Sequence, residues 1–272
     1  MIIEEIPDTW TKDQVEVYEI YSKYVSKGDD SEVIAEFEEL LTRWLKKGQI
    51  KIVSWNCNGK FREKFKEIIE QEADIYVIQE CEDPAQSKDE DYREFAGDNY
   101  IWTGHLHYKG LGIFAREDIK LEKLESKGEF EHFIPVRVND SFNLLGLWAM
   151  EPYVEVIHDY FEANGDLFDE NLVMCGDFNS NAIWDNLHGI KNQTELNNKL
   201  ENKGLFSVYH KLNDEIQGQE KSATFYLTRH LNKPYYIDYV YVGETAVKEF
   251  DILDHYKWIN ESDHLPITFV IE

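Results

Sequence analysis

Five short stretches of this chain place carboxylates, amides and one imidazole beside apolar runs. They are Ser54-Trp55-Asn56-Cys57-Asn58-Gly59, Gln79-Glu80, Gly176-Asp177-Phe178-Asn179, Ile237-Asp238-Tyr239 and Ser262-Asp263-His264-Leu265-Pro266. Taken singly, each has an ordinary explanation, because Asn-Gly and Gly-Asp are common turn pairs and an Asp beside a strand is commonly solvated. Taken together they point to chemistry. Strand ends lying side by side would bring Glu80, Asp177, Asp238 and Asp263 to one mouth, where four carboxylates repel one another unless a cation sits among them. With the amides of Asn56 and Asn179 and a single His, this is a hard-oxygen donor set. It suits Mg²⁺ or Mn²⁺ better than zinc, which prefers Cys and His. An Mg²⁺ ion holding few protein ligands and several waters is the usual arrangement for chemistry on phosphate.

The elements that must position these groups are short. Residues 50–54 and 74–79 read as buried strands, and a helix between them carries Phe61, Phe65, Ile68 and Ile69 on one side. Further strands are predicted over 111–115, 133–138, 142–150, 172–175, 236–242 and 266–271, with a polar helix over 192–203. Helices interleave too unevenly for a strict βαβ repeat, so the pattern indicates a two-layer or sandwich-like α/β arrangement. Gly176 is expected to permit a tight strand exit. Asp177 and Asn179, two apart, face the same side if strand geometry persists beyond Gly176.

The first 48 residues have a different texture. Thr11 with Gln14 makes a capping-box pattern ahead of Val17, Ile20, Tyr21, Tyr24 and Val25; Gly28-Asp29-Asp30 interrupts it. Val33, Ile34, Phe37, Leu40, Leu41, Trp44 and Leu45 then recur at helical spacing up to Lys46-Lys47-Gly48. The reading is a helical hairpin extension over 1–48 followed by one domain over 49–272. The hairpin's apolar stripes pack on that domain, on each other, or on a protein partner.

Composition narrows the class. In 272 residues there are 54 acidic and 28 basic side chains, a net charge of −26, and only 6 of the basic residues are Arg. Such a balance repels polyanions at long range, so a nucleic-acid substrate requires a local basic patch. Three cysteines, an odd count with no CxxC, indicate neither a disulfide framework nor a zinc knuckle. No stretch approaches the roughly 20 apolar residues of a membrane helix. The start, Met1-Ile2-Ile3-Glu4-Glu5-Ile6, lacks the basic head and apolar core of a secretory signal. A soluble, cytoplasmic protein without membrane insertion is expected.

In order along the chain, WN-x-N-G, QE, GDFN, IDY and SDHLP resemble the endonuclease/exonuclease/phosphatase superfamily, the DNase I-like fold, over about residues 50–272. The resemblance implies an α/β, four-layer sandwich with two central sheets and one active site at their common edge. It implies Glu80 as the direct metal ligand with Asn56, and Asn58 beside it. Asp177 positions and deprotonates the attacking water, Asn179 hydrogen-bonds the phosphate or that water, and Asp263 assists the metal. His264 touches a phosphate oxygen while Asp238 holds its other ring nitrogen. One departure stands out: many members carry a mid-chain His on a V-H-L-like strand, where this chain has Trp148 in Phe142-Asn143-Leu144-Leu145-Gly146-Leu147-Trp148-Ala149. Either another donor, such as His105, His107, His158 or Tyr153, fills that place, or phosphate is bound more weakly or differently. Trp148 itself reads as core or as a surface on which a base stacks.

Other signals are set aside or left open. His105-Leu106-His107 has zinc-like spacing but no third ligand. Cys57, Cys81 and Cys175 adjoin proposed site residues yet have no Cys-His-Asn pattern around them, and read as buried packing. The basic and aromatic stretch 224–236, with Arg229, reads either as a substrate-gripping loop or as a strand pair with a basic turn. The acidic tract from Cys81 to Asp91 reads as a solvated loop. The expected activity is a divalent-metal-dependent phosphodiesterase, first of all a nuclease on DNA or RNA using activated water. The alternatives are a phosphatase or phosphodiesterase on a small or lipid-linked ester, or a catalytically weakened binding module that docks partners through the hairpin.

Overall fold

The computed structural model describes residues 12–25, 48–243 and 247–272. The chain divides into two compact units, Met1–Gln49 and Ile50–Glu272. In the first, helix α1 (Lys12–Val25) forms where apolar periodicity predicts it, with Tyr18 and Tyr21 buried. The second helix of the expected hairpin, residues 33–45, lies outside the described residues.

In the second unit, strands β1 (Ile50–Asn56) and β2 (Ile75–Cys81) are joined through helix α2 (Phe61–Ile68). Helix α3 (Glu90–Ala96) leads to the hairpin of β3 (Tyr100–Leu106) and β4 (Lys109–Ala115). Then come β5 (Leu121–Lys123), β6 (Phe133–Val138), β7 (Phe142–Trp148), helix α4 (Val154–Ala163) and β8 (Leu172–Asp177). After helix α5 (Gln193–Glu201), β9 (Phe206–Ser207) and helix α6 (Val208–Asn213), β10 (Phe225–Tyr226) pairs with β11 (Pro234–Tyr235) in a small separate ribbon. The chain closes with β12 (Asp238–Val242), β13 (Val247–Ile252) and β14 (Ile267–Ile271).

Two six-stranded sheets result, ordered β13-β14-β1-β2-β4-β3 and β5-β6-β7-β8-β12-β9. Successive side chains of a strand point to opposite faces, so central strands covered on both sides are apolar throughout. Ile52, Ile75, Val77 and Ile113 of the first sheet meet Val136, Leu144, Val173 and Val240 of the second in the inter-sheet core. Val53, Trp55, Tyr76 and Ile78 face the other way onto Phe61, Phe65 and Ile68 of α2 and Tyr92 of α3. Leu145, Leu147, Leu172 and Met174 face Val154, Ile157, Tyr160, Leu196 and Leu200 of α4 and α5. This is a four-layer α/β sandwich. No helix among the described residues is long and apolar enough to cross a membrane.

Pairing direction decides where the polar groups collect. β1 and β2 run parallel, with Asn56 opposite Gln79, so their C-terminal ends share an edge. β14 is antiparallel to β1, which brings its N-terminal end, preceded by Asp263 and His264, to that same edge. In the second sheet β7 and β8 are parallel, with Trp148 opposite Asp177, and β12 is antiparallel to β8, with Asp238 opposite Asp177.

Two local expectations are corrected. Gly176 lies inside β8 rather than at its exit: at φ +148° a Cβ there would be 1.9 Å from the Leu147 carbonyl oxygen, so the neighbouring strand requires its absence. The acidic tract after Cys81 is not simply a solvated loop. Glu82 is buried, Asp83 accepts from Ala85 N and Asp89 caps α3 through Tyr92 N at 3.0 Å.

Candidate active site

The two sheet edges bring the expected residues together around Asn56. This side chain is buried, and its Nδ2 donates to Asp177 Oδ2 at 2.9 Å and points to Glu80 Oε1 at 3.4 Å. One amide from the first sheet therefore touches a carboxylate in each sheet. Asn56 Oδ1 accepts from Asn58 N at 3.0 Å, which folds the Asn58 side chain back to donate to Asp263 Oδ1 at 2.8 Å. Glu80, Asp177 and Asp263 thus share one rim.

Asp177 is fully buried at the end of β8. Its Oδ1 accepts from Asn179 N at 2.8 Å and its Oδ2 from Asn179 Nδ2 at 3.0 Å. Asp177 and Asn179 meet through this Asx-type turn, not by strand alternation, because the strand ends at Asp177 and Asn179 takes a left-handed φ of 49°. Asn179 also donates to the Ala149 carbonyl at 3.1 Å, tying it to the end of β7. Burial pushes the Asp177 carboxyl up, and Asp238 adds to this; His264, Asn56 and the Asn179 N–H work against them. The outcome is a value of about 7.

His264 Nδ1 lies 2.9 Å from Asp238 Oδ2, and its Nε2 is 3.8 Å from Asp177 Oδ2. Burial alone would lower the imidazole's proton affinity, but the adjoining Asp238 and Asp177 charges overcome it and push the value up to about 10. The ring is a cation near neutral pH, so the compact Asp177–Asp238–His264 cluster carries its own positive charge. Asp177, Asp238 and His264 each offer one ligand atom within 4.8 Å of the others, the group among the described residues that could hold a metal ion. On the Glu80 side of the rim the Asn56 amide turns its Nδ2 to Glu80 Oε1, and the Lys109 ammonium sits 3.0 Å from Glu80 Oε2.

Several contributions follow from contacts that the sequence stretches containing these residues do not reveal. Ser262, fully buried, donates to the Asn56 carbonyl at 2.7 Å and accepts from His264 N at 3.0 Å, locking β1 to the His264 loop. Thr224 Oγ1 accepts from both Ile237 N and Asp238 N at 3.0 Å and so fixes Asp238. The Phe225 ring lies 4.6 Å from that of His264. Glu80 is displaced toward the rim by an irregularity between Gln79 and Cys81 and adopts φ 62°, the kind of uncommon backbone that clusters at functional sites. Only an ordered pairing with β4 creates that bulge, so no local signal announces it.

The remaining expectations fall as follows. Trp148 is buried at the edge opposite Asp177. Arg229 is exposed, with its guanidinium donating to the Asn260 and Glu261 carbonyls at 2.7 and 3.2 Å, so it ties its own loop down. His105 and His107 are exposed, and His158 is engaged with the Asn192 carbonyl at 2.9 Å and Lys199 at 3.0 Å. Cys57, Cys81 and Cys175 are buried free thiols; burial raises all three and takes Cys175 to about 12, which leaves them packing groups rather than nucleophiles.

The chain belongs to the Endonuclease/Exonuclease/phosphatase family, whose sequence pattern it matches over residues 53–264. No curated protein matches it. Among solved structures it resembles a 3′ phosphatase from Neisseria bound to product DNA hairpin, with TM-score 0.62 and 17% identity over 82% of this chain and 99% of that one. An AP endonuclease from Archaeoglobus fulgidus gives the same TM-score, identity and coverage. The endonuclease domain of TRAS1, a telomere-specific non-LTR retrotransposon, is similar at TM-score 0.56 and 16% identity, over 82% of this chain and 98% of that one. At these identities the likeness is one of fold.

Proposed function

We propose that this protein is a divalent-metal-dependent phosphodiesterase that hydrolyses nucleic acid by direct attack of water. The observation that carries this reading is the shared Asn56 amide, which holds Glu80 and Asp177 on one rim beside the Asp238–His264 pair. Glu80 and Asp263 would hold Mg²⁺ or Mn²⁺, joined by Asn56 once its amide turns Oδ1 toward Glu80, a reading supported by the two carboxylates and by the ammonium already attracted to Glu80. When bound, the metal polarises the phosphoryl group and neutralises developing charge. Asp177, with a proton affinity near neutrality, accepts a proton from water, and Asn179 holds its carboxylate in place. His264, charged and backed by Asp238, donates to a phosphate oxygen as negative charge grows there. The water oxygen bonds to phosphorus as the bond to the leaving oxygen breaks, and no covalent enzyme intermediate forms.

Nucleic acid is favoured by the fold's likeness to a DNA-bound 3′ phosphatase and an AP endonuclease. A small phosphate ester is the second reading, motivated by the net charge of −26, which disfavours a long polyanion. Both readings are tested by incubating wild type and Asp177→Ala with Mg²⁺ or Mn²⁺ and plasmid, single-stranded oligonucleotide, abasic duplex and bis(p-nitrophenyl) phosphate. Turnover of the nucleic acids, lost in Asp177→Ala, supports the proposal. Turnover of the small ester alone transfers the assignment to the second reading. No turnover by wild type on any of them supports a binding module instead.

A further inference from the structure

The mid-chain His of the family's pattern is replaced by Trp148, and the groups around that position show what takes its place. The indole cannot do the same work. Trp148 is buried, its backbone N donates to the His132 carbonyl at 3.0 Å, and the His132 ring packs against it at 4.7 Å between centroids. Its Nε1 is enclosed and makes no hydrogen bond. On the Glu80 side stands Lys109, the first residue of β4. Its Nζ is 3.0 Å from Glu80 Oε2 and 5.2 Å from the centroid of the Trp148 ring. The ammonium therefore lies between the carboxylate proposed to bind metal and the side chain that replaces the family's His.

The backbone keeps it there. Gly110 pairs with Cys81 across the bulge that aims Glu80, so the start of β4 is registered on the metal side of the rim. A Cβ on Gly110 would lie 2.4 Å from both the Thr103 carbonyl and the Trp102 ring, so β3 and Trp102 hold this end of the hairpin against the sheet. Beyond that anchor the Lys109 side chain is 42% exposed, against 17% for Glu80, so its ammonium is open to solvent while the carboxylate is mostly covered.

We infer that Lys109 is a charge-swapping phosphate ligand: it neutralises Glu80 while the metal is absent and turns to the substrate phosphate once a divalent cation takes Glu80. One carboxylate cannot hold two cations equally well, so the metal and the ammonium compete, and the displaced ammonium keeps the Trp148 ring as a neighbour on the same rim. The Trp148 face favours a cation at that spot through its ring quadrupole, an attraction of about 1 kcal/mol. The role is electrostatic and involves no proton transfer. It explains why a chain with intact carboxylates dispenses with the His: the positive charge comes from the neighbouring sheet.

This inference rests on the proposed phosphodiesterase site, but its test reads binding as well as turnover. Wild type, Lys109→Met and Lys109→Arg are titrated with Mn²⁺ by calorimetry, and then with inorganic phosphate in saturating Mn²⁺. Lys109→Met keeps the apolar stem over Trp148 and removes the charge. Its Mn²⁺ affinity should rise about tenfold, the value of one pair of unit charges at 3.0 Å in a water-like dielectric. Its phosphate affinity should fall about tenfold, and Lys109→Arg should recover most of that loss. Unchanged Mn²⁺ affinity in Lys109→Met, or unchanged phosphate affinity, would overturn the inference. Melting temperatures confirm that each variant folds. If wild type turns over none of the esters while both titrations shift as stated, the hydrolase reading fails and the charge swap stands.

Discussion

The Asp238→Asn substitution tests the electrostatic core of the site. In the folded protein His264 is held near 10, and its unperturbed value is about 6.5. A group whose folded value is raised contributes stability that is fully present below about 6.5 and is lost as pH rises through about 10. At pH 8, two units below the folded value and at about 1.4 kcal/mol per unit, the bound proton is worth about 3 kcal/mol. Near pH 6 the figure is about 5 kcal/mol, and above pH 10 it is close to zero. Asparagine has nearly the shape of aspartate but no charge, so in the variant burial is opposed only by Asp177 and Asp263 and the imidazole's proton affinity falls. Urea unfolding in the presence of a chelator should therefore show a deficit of up to about 3 kcal/mol at pH 8 that grows toward pH 6 and vanishes above pH 10. Such losses are large against the 5–15 kcal/mol of a typical domain. An NMR titration of the His264 ring should locate the same shift directly. Parallel stability–pH curves for wild type and variant, or a wild-type His264 that titrates near 6.5, would refute the reasoning.

Glu80→Ala should weaken Mg²⁺ or Mn²⁺ binding by at least tenfold while leaving the fold intact, and calorimetry showing unchanged affinity would move the metal elsewhere on the rim. Ser262→Ala should cost about 1–3 kcal/mol in a thermal or urea melt, because the Asn56 carbonyl and the His264 N–H both lose a buried partner. It should lower kcat more than it raises KM, since the His264 contact it loosens strengthens as negative charge grows on the phosphate. Gly176→Ala places a methyl group 1.9 Å from the Leu147 carbonyl oxygen. It should destabilise by about 4 kcal/mol or prevent folding altogether, judged by circular dichroism, whereas a role confined to turn flexibility would predict a much smaller effect.

Where both faces of a strand are buried, the sequence is close to a direct record of the fold. β1, β2, β6, β7 and β14 are near-continuous apolar runs and fall within about two residues of their expected bounds, as does α2, whose Phe61, Phe65 and Ile68 make one stripe. Elements with weaker patterns went unread. β13 is an edge strand with alternating partial exposure, β3 is half-covered along most of its length, and α3 lies in an acidic tract whose charges mask the buried Tyr92 and Ala96. The exits of β1, β2 and β8 were legible as places where polar side chains follow apolar runs. The partners Thr224 and Lys109 carry no local signature, because each acts on a residue more than ten positions away, and Ser262, though inside the SDHLP stretch, shows nothing locally of its bond to the Asn56 carbonyl.

What the linear order of residues determined was the inventory: hard oxygen donors, one imidazole and a Trp where the family pattern has a His. Those properties belong to individual side chains and need no neighbours. Charge state and partnership belong to the folded chain. Asp177 is drawn toward neutrality by burial, His264 is held as a cation by carboxylates from two strands, and Glu80 meets Lys109 only through a bulge paired with β4. Such effects depend on dielectric surroundings and on distances of a few ångströms between residues far apart in the chain, which only the packing of the two sheets sets.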